Sequence, residues 1–438
     1  MNQATHTESN IRKVALTSLA GTSIEWYDFF LYGAAAGLVF PKLFFGEASP
    51  TTALILSFLT FAAGFIARPV GGIIFGHFGD LIGRKKTLVI ALMLMGISST
   101  LIGLLPTYAT IGVAAPILLT LLRFAQGIAI GGQWGGAMLL VTESAPKEKR
   151  GYYGAFAQAG APIGVILANL AFIGVGLFTN EESFLAWGWR IPFLASFVLI
   201  IISLYIQLRL EDTEAFKELE SLKEQNPNED KIIKSSPILE AIRKYPQRIS
   251  LAAGAFLSVQ VTFYILIAFL LAYGVETTDL DRDDLLMAVL IGSAIMVPTQ
   301  FYFSAYSDRN GRKGVFMAGA ALTAVWAFAI FPLMASGSFL LAVLAIAVGL
   351  TFLGMMYGPQ AAFFAELFST EVRYSGASLG YQLGAIIGGS FAPIIATLLW
   401  KNYDIFWVSV YIAFASTLSL ISVYMFCLLY TSPSPRDQ

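Results

Sequence analysis

The chain is expected to fold as an all-α membrane protein, with twelve transmembrane helices in two pseudo-symmetric six-helix halves. Three observations predict this. Hydrophobic residues make up 57% of the 438 and charged residues only 13%, with a mean hydropathy of +0.71, outside the range of a soluble protein. Apolar runs of the roughly 20 residues needed to cross a bilayer recur along the whole chain. A charged hairpin also occurs twice, 228 positions apart: Gly76-His-Phe-Gly-Asp80-Leu-Ile-Gly83-Arg84-Lys85 and Ser304-Ala-Tyr-Ser-Asp308-Arg-Asn-Gly311-Arg312-Lys313. Asp, Gly, Arg and Lys keep one register in both copies, as in a duplicated bundle.

Taken in order, a polar stub is expected over 1–14. The first apolar segment outruns a signal peptide and contains Glu25 and Asp28, so it reads as a retained helix. Helices are expected at 15–40, 52–76, 87–106, 111–142, 152–178 and 189–209, which form a first bundle over 15–209. The stretch 210–248, rich in Glu and Lys with Pro227 and Pro237, is the one long charged connector. Helices at 249–275, 284–305, 314–335, 339–367, 375–400 and 405–429 form the second bundle over 249–429. The polar run 430–438 is unlike any other loop and is expected to be a non-native tail resembling translated read-through. Lys and Arg crowd one side of the membrane, from Arg12 and Arg84 to Arg309 and Arg373, and the other side has Lys42, Arg190, Arg282 and Lys401. The positive-inside rule then puts both termini in the cytoplasm.

Composition excludes several functions. The net charge of −1 is segregated by loop and gives no nucleic-acid patch. A single cysteine and two histidines speak against a disulfide framework or a metal site, and no cofactor is expected. No nucleophile, base and oxyanion arrangement can be read, so an enzyme is not expected.

Chemistry is expected where charge enters the membrane. Glu25 and Asp28 are three apart on the first helix and share a face that Tyr32 extends. An ionised group at the bilayer centre costs about 2.5–3.5 kcal/mol on insertion scales, and protonation is the least expensive escape. The pair is read as a proton carrier, with Asp28 favoured, against a structural tie between helices. Arg123 shares a side of the fourth helix with Gln126 and Gln133. It serves either to neutralise the acids, to bind a substrate carboxylate through its fork of donors, or as a structural ion pair. Arg68 in the second helix is read as a gate residue or as a snorkelling anchor.

At the repeat offset Glu25 falls on Ala253 and Arg68 on Met296, and the offset between the fourth and tenth helices sets Arg123 against Ile346, so proton coupling is expected in the first half alone. Substrate contacts are expected from both halves: Tyr32, Gln133, Trp134, Gln158 and Asn169 in the first, and Gln260, Tyr264, Tyr357, Gln360 and Gln382 in the second. For each of these, a bond to a neighbouring helix is the competing reading. The repeated Glu143 and Arg150, Glu366 and Arg373 match the end of the fourth helix to that of the tenth.

These features resemble the major facilitator superfamily over residues 12 to 426. Further phrases resemble its metabolite:proton symporter family: Gly21-Thr-Ser-Ile-Glu25-Trp-Tyr-Asp28, Ala67-Arg68-Pro69-Val-Gly71-Gly72, Arg123-Phe-Ala-Gln126-Gly127, Gly131-Gly132-Gln133-Trp134-Gly135-Gly136 and Trp187-Gly-Trp189-Arg190-Ile-Pro192. The resemblance implies import of a small organic acid, or of a proline- or betaine-like zwitterion, with protons through a bacterial cytoplasmic membrane. Alternatives are a proton-independent facilitator, a drug/proton antiporter or a non-transporting sensor. It further implies a cytoplasmic gate built from Asp80, Arg84 and Glu143 in one half and Asp308, Arg312, Glu366 and Arg373 in the other, with Arg68 beside it. Two positions depart from the pattern: Leu81 replaces the usual basic residue, and Gln133 stands where many relatives carry an acid.

Overall fold

The computed structural model describes residues 2–82, 84–131, 141–142, 145–209, 243, 245–367 and 373–431. Six long helices precede the connector: α1 (Asn2–Leu38), α2 (Pro50–Ile82), α3 (Arg84–Leu104), α4 (Ala114–Gly131), α5 (Arg150–Gly176) and α6 (Arg190–Arg209). Six follow it: α7 (Pro246–Thr277), α8 (Arg282–Asn310), α9 (Arg312–Ala335), α10 (Phe339–Leu367), α11 (Arg373–Gly384, Ala385–Ser390 and Ala392–Asn402) and α12 (Phe406–Thr431). Among the described residues nine helices are long and apolar enough to cross a membrane, ten if the bent pair ending in α6 is one span.

Each expected helix has a counterpart among the described residues, several with shifted ends, and residues 132–140 of the fourth lie outside them. α1 begins at Asn2, inside the expected stub, because no proline or glycine interrupts the segment before Gly21. α2 runs to Ile82 and α3 starts at Arg84, so the first hairpin is made largely of helix ends. The second turns on Gly311, whose φ of +87° is a left-handed value open to glycine. α12 runs to Thr431, into the expected tail.

Packing follows the duplication. Within the first half, α1 lies on α5, α2 on α4 and α3 on α6; within the second, α7 lies on α11 and α12, and α8 and α9 on α10. The α2–α4 seam is backbone against backbone: a side chain on Gly127 would overlap the Gly64 carbonyl and one on Gly131 the Arg68 carbonyl, a small-residue contact that needs no hydrophobic drive. Between halves, α5 packs on α8 and α2 on α11, which are equivalent pairs under the repeat. α7 and α11 each contain a π-helical turn, at Ile265–Phe269 and Ala385–Ser390, and both turns face the first half. Such turns disturb the regular ladder and recur at functional sites.

Candidate functional site

Two arginines are buried at the centre of the first half. Arg68 is 1% exposed and Arg123 0%, where an unpaired cation costs several kcal/mol. Aromatic rings surround them. The Arg123 guanidinium lies 4.1 Å from the Phe29 centroid, 4.4 Å from Tyr32 and 4.8 Å from Phe61. Arg68 lies 4.5 Å from both Phe29 and Phe65 and 5.5 Å from Trp26. Phe29 therefore serves both cations, and each desolvated cation–π contact is worth about 2 kcal/mol.

Asp28 is 1% exposed. Ser196 on α6 donates a short hydrogen bond to its Oδ1, and its Oδ2 has no hydrogen-bond partner. No ion pair joins Asp28 to Arg123 among the described residues. Instead Arg123 Nη1 donates to Gln126 Oε1 at 3.0 Å, and Gln126 Nε2 donates to Ser99 Oγ at 2.6 Å. The spacing that places Arg123 and Gln126 on one side of α4 thus produces a direct bond. Tyr32 donates its hydroxyl to Thr60 at 2.7 Å beneath the Arg123 guanidinium. Glu25 lies one turn before Asp28, is partly exposed, and has no hydrogen bond or ion pair among the described residues.

Arg68 lies in the central aromatic box, away from both ends, and beside the Tyr264 and Tyr381 hydroxyls of the second half. Those tyrosines, with Trp26, Phe30, Ala161, Val259, Gln260, Phe263, Leu353 and Tyr357, line a cavity between the halves. It is nearly closed, with about 10 Å³ free, the space of one water.

The neutral polar residues divide into two groups. Gln158 donates to the Tyr357 carbonyl at 3.3 Å, and Asn169 to the Leu286 carbonyl at 3.1 Å. Both bonds cross from α5 to the second half and tie the halves together. Gln260, Tyr264 and Tyr357 line the cavity. Gln360 is buried with both amide atoms unpartnered, and Gln382 with its Oε1 unpartnered. Ala253, Met296 and Ile346, at the repeat-equivalent positions, are buried apolar core.

The second hairpin forms one ionic cluster at the end of the bundle. Arg312 pairs with Asp308 at 2.9 Å and with Glu366 at 2.8 Å. The Asp308 carboxylate also accepts from the Gly151 and Tyr152 backbone N–H groups at 2.8 and 2.9 Å. A carboxylate of the second half thereby caps the positive N-terminus of α5 in the first. The side chains of Asp80, Arg84 and Arg373, and residues Gln133, Trp134 and Glu143 entirely, lie outside the described residues. At the opposite end, Glu181 of the first half pairs with Arg282 of the second at 2.9 Å and with Lys42 at 3.6 Å.

Sequence reasoning missed Ser99, Ser196, Thr60, Phe61, Phe65 and Tyr381. Serines and threonines in apolar helices are a weak signal, since most bond their own backbone. Phe61, Phe65 and Arg68 at helical spacing were legible as one face of α2. Among the described residues no group of His, Cys, Asp and Glu suits a metal ion.

The Major Facilitator Superfamily profile matches residues 18–379 and again 298–438. The chain is 41% identical over 419 residues to the inner membrane metabolite transport protein YhjE of Escherichia coli, covering 94% of this chain and 93% of that protein. It is 39% identical to the shikimate transporter of E. coli over 420 residues, covering 93% and 92%. A D-xylose-proton symporter crystal structure superposes with a TM-score of 0.75 at 17% identity, covering 95% of this chain and 97% of that one, a likeness of fold alone.

Proposed function

The chain belongs to the major facilitator superfamily and is a multi-pass metabolite transporter, not an enzyme; from that premise we propose that it is a proton-coupled symporter importing a small carboxylate-bearing metabolite by alternating access. One observation carries the reading: among the described residues the fully buried charges are two cations, Arg68 and Arg123, against one acid, Asp28, whose second oxygen has no partner. With Asp28 ionised this set sums to +1, and with Asp28 protonated to +2. A proton on Asp28 therefore makes the site more attractive to an anion, and a bound anion makes it more attractive to a proton. That reciprocity is the thermodynamic content of symport. A carboxylate of the transported solute supplies the missing negative charge, whether the solute is an organic acid or a proline-like zwitterion.

The halves touch at both ends around a nearly closed cavity, which fits an occluded intermediate between outward- and inward-open states. In this reading the end carrying Asp308, Arg312 and Glu366 is cytoplasmic, as are both termini, and the cluster holds that end shut while the site faces out. Capping of α5 by Asp308 is the contact that must break for inward opening. Asp80, Arg84, Glu143 and Arg373 are assigned the equivalent task at the α2–α11 seam by the repeat.

The test is uptake by purified protein in liposomes of labelled shikimate, 2-oxoglutarate, citrate, proline and betaine, with an inward proton gradient and with that gradient collapsed. Accumulation above equilibrium that disappears on collapse is expected for at least one carboxylate. Uptake that ignores the gradient would leave a facilitator and remove the proton role of Asp28.

A further inference from the structure

We infer that the proton leaves Asp28 for the cytoplasm through Glu25, along a face of α1 turned into the first half, by a route separate from the solute's path between the halves; this rests on the symport reading above and on the orientation given with it.

α1 presents opposite faces to the two routes. Trp26 and Phe30 lie on either side of Asp28 in sequence and about 160° around the helix from it. Both rings line the cavity between the halves. Asp28 instead meets Ser196 of α6. Glu25 falls between Asp28 and Phe29, about 60° from the first and about 40° from the second. Phe29 packs under the guanidinium groups of Arg68 and Arg123. Glu25 therefore points into the first half, away from the cavity.

Burial along this face is uneven. From Thr22 to Ala36 every residue of α1 is buried except Glu25. One turn before it, Gly21 is also partly exposed, and a methyl carbon built there would meet no atom within 4 Å. Ser18 is partly exposed too, and its Oγ has no hydrogen-bond partner. Glu25, Gly21 and Ser18 follow one another at helical spacing, so they form one stripe. α1 runs parallel to α5, with Thr22 against Gly160 and Trp26 against Gly164, and the stripe thus leads towards the end at which Asp308 caps α5. In the other direction the same face is plugged. Tyr32, one turn beyond Asp28, lies 4.9 Å from Phe40, which lies 5.3 Å from Phe44 and 5.9 Å from Trp189; Phe193 lies 6.0 Å from Trp189. All five rings are 0% exposed. Asp28 is sealed on its outer side, and its open neighbour lies on the inner one.

Side chains three apart on a helix have Cβ atoms about 5–6 Å apart, so one water can pass a proton between the two carboxyl groups. The Asp28 carboxyl gives its proton to the Glu25 carboxylate and is left ionised; Glu25 gives the same proton to cytoplasmic water and returns to its carboxylate. Among the described residues the charged and titratable groups around the pair are Arg123 of α4, Arg68 of α2, and Tyr27 and Tyr32 of α1. α3 and α6 bring Ser99 and Ser196, and α5 brings Gly160 and Gly164, none of which ionises. Residues 132–140 contain no ionisable side chain. Glu25 is thus the acid available to relay.

The experiment compares two modes of transport in liposomes for labelled shikimate, 2-oxoglutarate, citrate, proline and betaine. One is net uptake driven by an inward proton gradient. The other is exchange at equal pH against unlabelled solute inside, for which the proton need not leave its carrier. Wild type, Glu25→Gln, Glu25→Asp and Gly21→Leu are each checked for a single elution peak. Glu25→Gln should lose about tenfold or more in gradient-driven uptake, towards the roughly 100-fold that a proton-transfer group contributes, and should exchange solute at the wild-type rate. Glu25→Asp should recover most of that loss. Gly21→Leu, which fills the open stretch with an apolar side chain, should behave as Glu25→Gln does. A merely structural role for Glu25 would lower both modes alike. That outcome, or wild-type net uptake by Glu25→Gln, overturns the route and leaves symport standing. Wild type that accumulates none of the five solutes on the gradient overturns the symport reading and this route together.

Discussion

The two halves share a fold and a hairpin but not a centre. The first half buries Asp28, Arg68 and Arg123 at its centre, whereas the second presents Gln260, Tyr264, Tyr357, Gln360 and Gln382 and fills the equivalent charged positions with Phe256, Met296 and Ile346. Duplication kept the hairpin motif in both halves, and under the proposed symport reading one titrating group is enough, so the second half carries no central charge. Charge is costly in a membrane. Under the proposed reading, concentrating it in one half lets the other contact the solute with neutral groups that carry no ionisation penalty.

The sharpest way to break this comparison is Asp28→Asn. An amide cannot carry a proton, so gradient-driven accumulation in liposomes should fall by at least about 100-fold, a loss of the size general proton-transfer groups contribute, while exchange of solute across the membrane persists. A variant that still concentrates solute would move the proton to Glu25, the partly exposed acid one turn away.

A smaller loss is expected at the second hairpin. Asp308→Asn weakens two bonds to the α5 backbone and the ion pair to Arg312, and each hydrogen bond to a charged group is worth about 1.5–3 kcal/mol. Transport should drop about tenfold or more with normal membrane insertion, and spin-label distances across that end should lengthen. Asp80→Asn should lose a similar amount; wild-type rates in that variant would confine the gate to one half.

Next come the amides that cross the interface. Gln158→Ala and Asn169→Ala each remove one neutral bond between halves, worth about 1 kcal/mol, so initial rates should change only a few-fold. A loss as large as that of Asp28→Asn would return them to the solute site. The smallest effect belongs to Glu181→Gln at the opposite end. Its side chain is 59% exposed, and exposed ion pairs contribute about 0–1 kcal/mol, so uptake at physiological salt should stay within about twofold of wild type.

Legibility followed the range of the interaction. The Glu25, Asp28 and Tyr32 face and the Arg123 to Gln126 bond were readable because helical spacing alone brings them together. Gln158 and Asn169 were equally visible as buried amides, but whether they meet a solute or a carbonyl depends on which helix packs on α5. Arg68 was visible as an intramembrane charge, yet its distance from the gate could not be read. α2 continues to Ile82, and the Arg68 guanidinium lies between the Phe29 and Phe65 rings, a placement that depends on how α1 packs on α2.

The amino-acid sequence by itself determined the class, the twelve helices and the duplication, because hydropathy, span length and a repeated motif are properties of the chain alone. It also determined which half carries charge into the membrane. Only the tertiary structure decided what each charge faces: Asp28 meets Ser196, Arg123 meets Gly64 and Gln126, Arg68 meets the rings of Phe29 and Phe65, and Asp308 meets the start of α5. The reason is geometric. A guanidinium or carboxylate is read at distances near 3 Å, and its partners come from helices far away in sequence, brought there by glycine seams and aromatic packing that no local pattern encodes.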